Sequence, residues 1–268
     1  MFLINPYILQ ASGGSYILDT YGSAKVAYSL HQLSSTATLS CRVRRSSDNA
    51  EQDIGFVSGD LDTTSLLSFV GANDGYVVKM YDQSGNSNDA IQTVAVNQRQ
   101  IVSSGALVTY GVNGKASTLK TTGSSKLLLT TPFAESSQQF QVAVFDHIGT
   151  TESLGLSAPT APYPLLITTS ELVYYYDGTV KSFGTTTTGE KIAVSYRNSS
   201  NNLGVYFNNV QFGSELAGGT PLATNYTKIW DRANDANQYA STTILWQSDL
   251  SANINDINTE INNYYGIY

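Results

Sequence analysis

Turn signals recur along this chain too often for long helices to fit between them. Asp74-Gly75, Gly85-Asn86, Asn113-Gly114, Asp177-Gly178 and Asn208-Asn209 separate short runs rich in Val, Ile, Leu, Tyr and Thr. Dipeptides of this kind accept the positive φ of tight hairpins, and β-branched and aromatic runs suit a pleated, half-buried surface. The pattern predicts strands at 37–45, 76–81, 100–103, 107–112, 116–119, 126–129, 140–145, 165–168, 172–176, 191–196, 203–207, 228–230 and 241–246. Many short strands with frequent turns specify an all-β sandwich or barrel, not an alternating α/β fold.

Three segments depart from that rhythm. Tyr21, Ala24, Tyr28 and Leu33 mix three-, four- and five-residue steps, which predicts a helix over 21–33. Leu66, Leu67 and Phe69 predict a short helix between Asp62 and Val70. Near the end, Ile254, Ile257, Ile261 and Tyr264–Tyr265 line one face of a helix that Asp249 or Ser251 can cap. At the start, residues 1–14 read as an arm carrying Phe2, Leu3, Ile4, Tyr7, Ile8 and Leu9, broken by Pro6 and closed by Gly13–Gly14. The arm either docks on another surface or packs as an edge strand. With no long linker and no repeat, 15–268 reads as one domain.

Composition narrows the partners. Fourteen basic against 21 acidic residues give a formal charge of −7, and an acidic surface repels phosphate backbones, so nucleic acid is not expected. Only 13% of residues are charged, so hydroxyl and amide side chains carry the solvent face. The single cysteine, Cys41, excludes an intrachain disulfide and reads as a small buried residue. No apolar run approaches the ~20 residues of a membrane span, so no membrane insertion is expected. The opening MFLINPYILQ lacks the basic start of a signal peptide, which implies synthesis in the cytoplasm without export.

Four stretches belong together. They are LDTYGSAKVAYSLHQL with RVRRSSDNAEQDIGF, VVKMYDQSGNSNDA, NGKASTLKTTGSSKLLL, and the tail ILWQSDLSANINDINTEINNYYGIY. This series resembles the laminin-G-like, concanavalin A-like domain of bacteriophage virion proteins of head and tail fibres, over residues 18–268. The resemblance implies a jelly-roll β-sandwich with a few short helices. It also implies a virion structural or capsid-decoration role, attachment to other virion proteins through the arm, contact with a host-surface glycan, and a homo-oligomer, most simply a trimer. The first half also resembles the catalytic domain of α-L-arabinofuranosidase B enzymes in its AYSL, RRSSD and YDQSGN motifs.

Hydrolysis by a retaining glycosidase needs two carboxyl groups about 5 Å apart. The nucleophile of the arabinofuranosidases maps to 172–180, which offers only Asp177. Their acid/base maps to the 230–238 loop, with Asp231 or Asp235 as counterparts. The incomplete pair leads to the expectation of a non-enzymatic binding or structural module, with a carbohydrate-binding module and a glycoside hydrolase as alternatives.

Sugar sites pair an aromatic ring with carboxylates and amides. Candidates are Tyr174, Tyr175 and Tyr176, consecutive on one strand so that Tyr175 faces away from its neighbours, and Trp230 with Asp231 and Asp235. Trp246 reads as core. Within 81–89, Asp82, Asn86 and Asn88 space their oxygens as calcium loops do, but without the closing bidentate Glu; the simpler reading is a turn capped by Asp82. Calcium is thus the one candidate cofactor. Arg42, Arg44 and Arg45 read as a salt-bridge cluster with Asp48, Glu51 or Asp53. His31 and His147 have no metal-ligand neighbours in sequence.

Overall fold

The computed structural model describes residues 16–111, 113–122, 125–148, 153–159, 162–168, 170–231 and 238–268. The expected arm therefore lies outside the described residues.

Strands dominate, as the turn spacing predicts. Those of five or more residues are β1 Ala24–Ser29, β2 Leu39–Arg45, β3 Glu51–Val57, β4 Gly75–Met80, β5 Arg99–Ser103, β6 Leu127–Ala134, β7 Gln139–His147 and β8 Ser153–Ser157. They continue with β9 Tyr163–Ile167, β10 Leu172–Tyr176, β11 Val180–Thr185, β12 Gly189–Arg197, β13 Asn202–Phe207, β14 Asn225–Asp231 and β15 Tyr239–Trp246. The helices are α1 Ile17–Tyr21, α2 Thr63–Val70 and α3 Ile254–Tyr265.

One sheet runs β1-β15-β7-β12-β13, antiparallel throughout. A second runs β3-β2-β4-β5 and continues from β4 through Ala90–Ile91 to β6, β14 and β8. Thr118–Leu119 pairs with both β15 and β5 and joins the two. A third, small sheet is β9-β10-β11. This is an all-β sandwich.

The first sheet is covered on both faces. Val26, Tyr28 and Leu245 face the second sheet and pack with Val43, Ile101, Leu127, Ile229 and Trp230. Ala27, Val142, Val194, Ile244 and Trp246 face the other way, under α1 and α3. On the same face as Val26 and Leu245, farther across the sheet, Ala143, Phe145 and Val205 pack against Leu165, Val173 and Tyr175 of the small sheet.

This double coverage explains a departure from expectation. The stretch 21–33 is not a helix: α1 ends at Tyr21, Gly22 and Ser23 take positive φ, and β1 follows. Ala24, Val26, Ala27 and Tyr28 are all buried because β1 has core on both sides. A strand buried on both faces shows no alternation, so its apolar run imitates a helix. The other two helices form where expected. Asp62 caps α2 by accepting from the Ser65 amide at 2.9 Å. Asp249 accepts from the Ser251 amide at 3.0 Å ahead of the 3-10 turn Ser251–Asn253, but α3 starts after Asn253 with no side-chain cap, so the expected cap by Asp249 or Ser251 is not made.

Candidate functional site

The sequence candidates separate on folding. Tyr175 is fully buried and donates to Glu135 Oε1 at 2.6 Å, so neither ring face is open to a sugar. Tyr174 and Tyr176 are half-buried. Trp230 is also fully buried; its indole N–H donates to Thr243 Oγ1 at 2.9 Å, and the buried Arg99 guanidinium lies 5.6 Å from its ring. These two are corrections to the expected sugar platforms. Trp230 points into the core between the sheets and Tyr175 into the core under the small sheet, and sequence alternation alone does not say which face is inward. Asp231 is buried between Lys228 (2.5 Å) and Lys126 (3.5 Å), while Asp235 lies outside the described residues.

Asp177 is committed to structure. It shares Arg197 with Glu135: Arg197 Nη2 donates to Glu135 Oε1 at 3.1 Å and to Asp177 Oδ2 at 3.3 Å, and all three side chains are buried. Asp177 also accepts from the Gly219 amide at 2.6 Å, and Glu135 from the Leu222 amide at 2.8 Å. This network separates the sandwich core from the core under the small sheet.

The 81–89 loop is built as a capped turn. Asp82 Oδ1 accepts from the amides of Ala27 (2.9 Å) and Ser84 (3.0 Å), and Oδ2 from the Asn88 amide (3.1 Å) and the Ser84 hydroxyl (2.8 Å). Asn86 donates to Ala24 O and Lys25 O, and Asn88 exchanges bonds with the Thr131 backbone. A carboxylate so occupied by N–H and O–H donors holds β1 against the loop and presents few lone pairs to a cation. Among the described residues no group of three or more His, Cys, Asp or Glu side chains is arranged for a metal. In the basic cluster, Arg42 pairs with Asp53 at 2.7 Å and Arg45 with Asp48 at 2.6 Å, while Arg44 bonds Gln98 and Asn49.

The groups that do converge line a cleft of about 780 Å³ between α3, the segment 31–33 and the Ser58-Gly59 turn. The turn takes positive φ at both residues, which a tight hairpin requires. Gly59 O accepts from the Gln32 amide at 2.9 Å and pins the turn to the segment. Buried Gln83 fixes the segment from beneath, donating to Ser29 O and His31 O and accepting from the Leu33 amide at 2.7 Å. On the far wall, α3 buries Ile254, Ile257 and Ile261 against the sheet. Its neighbouring face, with Asp256, Thr259, Glu260, Asn263 and Tyr264, borders the cleft.

Electrostatics distinguish this wall. Burial pushes the Glu260 carboxyl up to about 7. Burial likewise pushes the His31 imidazole down to about 4, against weaker pulls from the Gly59 backbone and Asp60. His31 stacks on Tyr264 with centroids 3.7 Å apart, and Lys115 Nζ lies 3.9 Å from the centroid of the same tyrosine. The buried His31 Nδ1 has no hydrogen-bond partner among the described residues. Tyr16 donates to Gln32 Oε1 at 3.1 Å. The cleft thus combines tyrosine rings, amides, the Asp256 side chain and a Glu260 carboxyl that burial holds half-protonated near pH 7.

Neither Glu260 nor His31 is singled out by motif. The available signal was Glu260 itself, a lone acid flanking the apolar face one turn after Asp256. Pairing it with His31 needs the tertiary fold.

No family model matches the sequence, and no curated protein matches it. Solved structures do. A GH54 α-L-arabinofuranosidase soaked with a cyclic sulfate inhibitor is 14% identical with a TM-score of 0.68, over 89% of this chain and 62% of that one. An arabinofuranosidase complexed with arabinofuranosyl-α-1,2-xylobiose is 13% identical with the same TM-score and coverage. Trypanosoma rangeli sialidase aligns over 68% of this chain and 30% of its own at a TM-score of 0.46. The chain thus spans 62% of the length of the arabinofuranosidases, and what it shares with them is the fold.

That fold corrects one expectation. The incomplete carboxylate pair argued for a non-enzymatic module, yet the sandwich is the one on which the arabinofuranosidases are built. The virion role has no counterpart in these arabinofuranosidases and rests on sequence resemblance alone.

Proposed function

We propose that this chain is a carbohydrate-active protein that holds a glycan in the cleft beside α3. The observation that carries the reading is the convergence there of Tyr16, Gln32, Asp256, Glu260, Asn263 and the stacked His31–Tyr264 rings. Aromatic surface with a few aimed polar groups is the usual make-up of a sugar site. The likeness to arabinofuranosidases supports the class of ligand. The test is a titration of mono- and oligosaccharides followed by two-dimensional NMR of the labelled protein. Shifts confined to His31, Gln32 and α3 support the reading; shifts elsewhere, or none at millimolar sugar, defeat it.

A second reading, glycoside hydrolysis, is favoured by one observation. Asp256 and Glu260 lie one helical turn apart on the cleft wall, and Glu260 is half-protonated near pH 7. Side chains at i and i+4 have Cβ atoms about 5–6 Å apart, which suits a donor and a carboxylate acting on one bond. Aryl arabinofuranosides and polysaccharide panels test it. Turnover that Glu260→Gln and Asp256→Asn both abolish supports hydrolysis; turnover untouched by either places it elsewhere.

A further inference from the structure

The hairpin that joins Thr109–Tyr110 to Lys115–Ala116 touches the end of α3, and one of its residues is chemically labile. Asn113-Gly114 is the single Asn-Gly pair in the sequence, and both residues are exposed. Asn113 Nδ2 donates to Tyr265 O at 2.9 Å and to Gly266 O at 3.2 Å. These carbonyls stand at the C-terminal end of α3, where no helical N–H reaches them. Two residues on, Lys115 Nζ lies 3.9 Å from the centroid of the Tyr264 ring that borders the cleft. The hairpin thus clasps the last turn of α3 through an amide and a cation.

We propose that Asn113 is a self-acting deamidation site, and that its conversion to aspartate or isoaspartate undoes the clasp on α3. The inference goes beyond glycan binding and does not depend on what the cleft holds. In the first step the Gly114 nitrogen attacks Asn113 Cγ. The N–Cγ bond forms, the Gly114 amide proton is taken up by the departing group, the Cγ–Nδ2 bond breaks, and Nδ2 leaves as ammonia. Water then opens the cyclic imide at either carbonyl. The sum is asparagine plus water giving aspartate or isoaspartate plus ammonia, and nothing is oxidised or reduced.

Glycine opens the nitrogen to this attack. Gly114 has no side chain, and a Cβ built there would meet no heavy atom within 4 Å, so the approach is unobstructed. The fold restrains the same step, because the Gly114 amide donates to Gly111 O at 3.2 Å and the Asn113 amide is held on α3. Reaction therefore proceeds through brief local openings of the clasp. Its product cannot close the clasp again. An ionised carboxylate only accepts, so both bonds to α3 are lost. Its charge also stands at the negative end of the helix dipole. Loss of ammonia makes the change one-way.

The experiment ages the full chain at mildly alkaline pH, beside Asn113→Asp and Gly114→Asn, and follows peptide masses and hydrogen exchange. Gly114→Asn places a residue that tolerates the positive φ of 59° there and shields the nitrogen. Wild type should gain one mass unit in the peptide that contains Asn113. The aged fraction should exchange the amides of 262–268 about tenfold faster than fresh protein. Asn113→Asp should show the fast exchange from the outset, and Gly114→Asn should keep both its mass at Asn113 and its protection. An Asn113 that stays intact while the urea-unfolded chain converts would overturn the inference. So would an Asn113→Asp protein whose α3 end is as protected as that of wild type.

Discussion

At the scale of single residues, Glu260 and His31 make the stability of the fold respond to pH in opposite senses. An unfolded chain releases the Glu260 proton near its ordinary 4.5, the folded one near 7, so folding is progressively penalised as pH rises between those values and the full penalty persists above 7. His31 is the converse. The unfolded imidazole protonates near 6.5 and the folded one near 4, so stability is lost as pH falls through that window. Glu260→Gln should therefore melt with the wild type below pH 4.5, gain on it up to pH 7 and keep a constant advantage above, read by scanning fluorimetry. His31→Phe should remove the acid-side loss below pH 6.5. A separate residue-scale effect belongs to Arg197. Replacing it by Met leaves Glu135 and Asp177 buried without their cation, which costs about 3–5 kcal/mol. Urea unfolding checks this, and adding Glu135→Gln with Asp177→Asn should recover much of the loss; a triple variant no better than Arg197→Met would contradict it.

Among the elements, α3 does double duty: with α1 it covers one face of the first sheet, and it also supplies a cleft wall. Ile257 is fully buried under it, and Ile257→Ala should cost about 2–5 kcal/mol in denaturant unfolding. That helix was legible in the sequence because its other face is wet: Ile254, Ile257 and Ile261 stand out against Asn, Asp and Glu. β7, β10, β13 and β15 were legible as apolar runs between turns. β1 was not, because core on both faces erases the alternation that marks a strand. β3 and β11 were missed for the opposite reason: each buries a single side chain, Ile54 or Phe183, and the rest reads as polar loop. The cleft was illegible for a third reason. His31 and Glu260 come from opposite ends of the chain, and no local pattern announces that α3 folds back over the residues after β1. Asp82, by contrast, could be read as a turn cap from spacing alone, because its partners are mostly local.

For the molecule as a whole, two features set what holds it together. Cys41 is fully buried, and burial pushes its thiol up to about 12, so it offers almost no thiolate at neutral pH. Reductant should leave the melting temperature unchanged, and a thiol reagent should label Cys41 only after unfolding; labelling of the native protein would contradict the buried placement. The second feature is the position of the chain's two tryptophans. Trp230 is sealed between the sheets, while Trp246 lies on the opposite face of the first sheet, 6.0 Å from Phe140, with its N–H on Gly22 O at 2.8 Å. The core between the two sheets and the core under α1 and α3 thus each carry a native optical label. Trp230→Phe leaves emission that reports only the layer under α1 and α3, and Trp246→Phe leaves emission that reports only the space between the sheets. If the helical cover peels away before the sandwich opens, the two single-tryptophan proteins will redshift at different denaturant concentrations; if the layers are one cooperative unit, the curves will coincide.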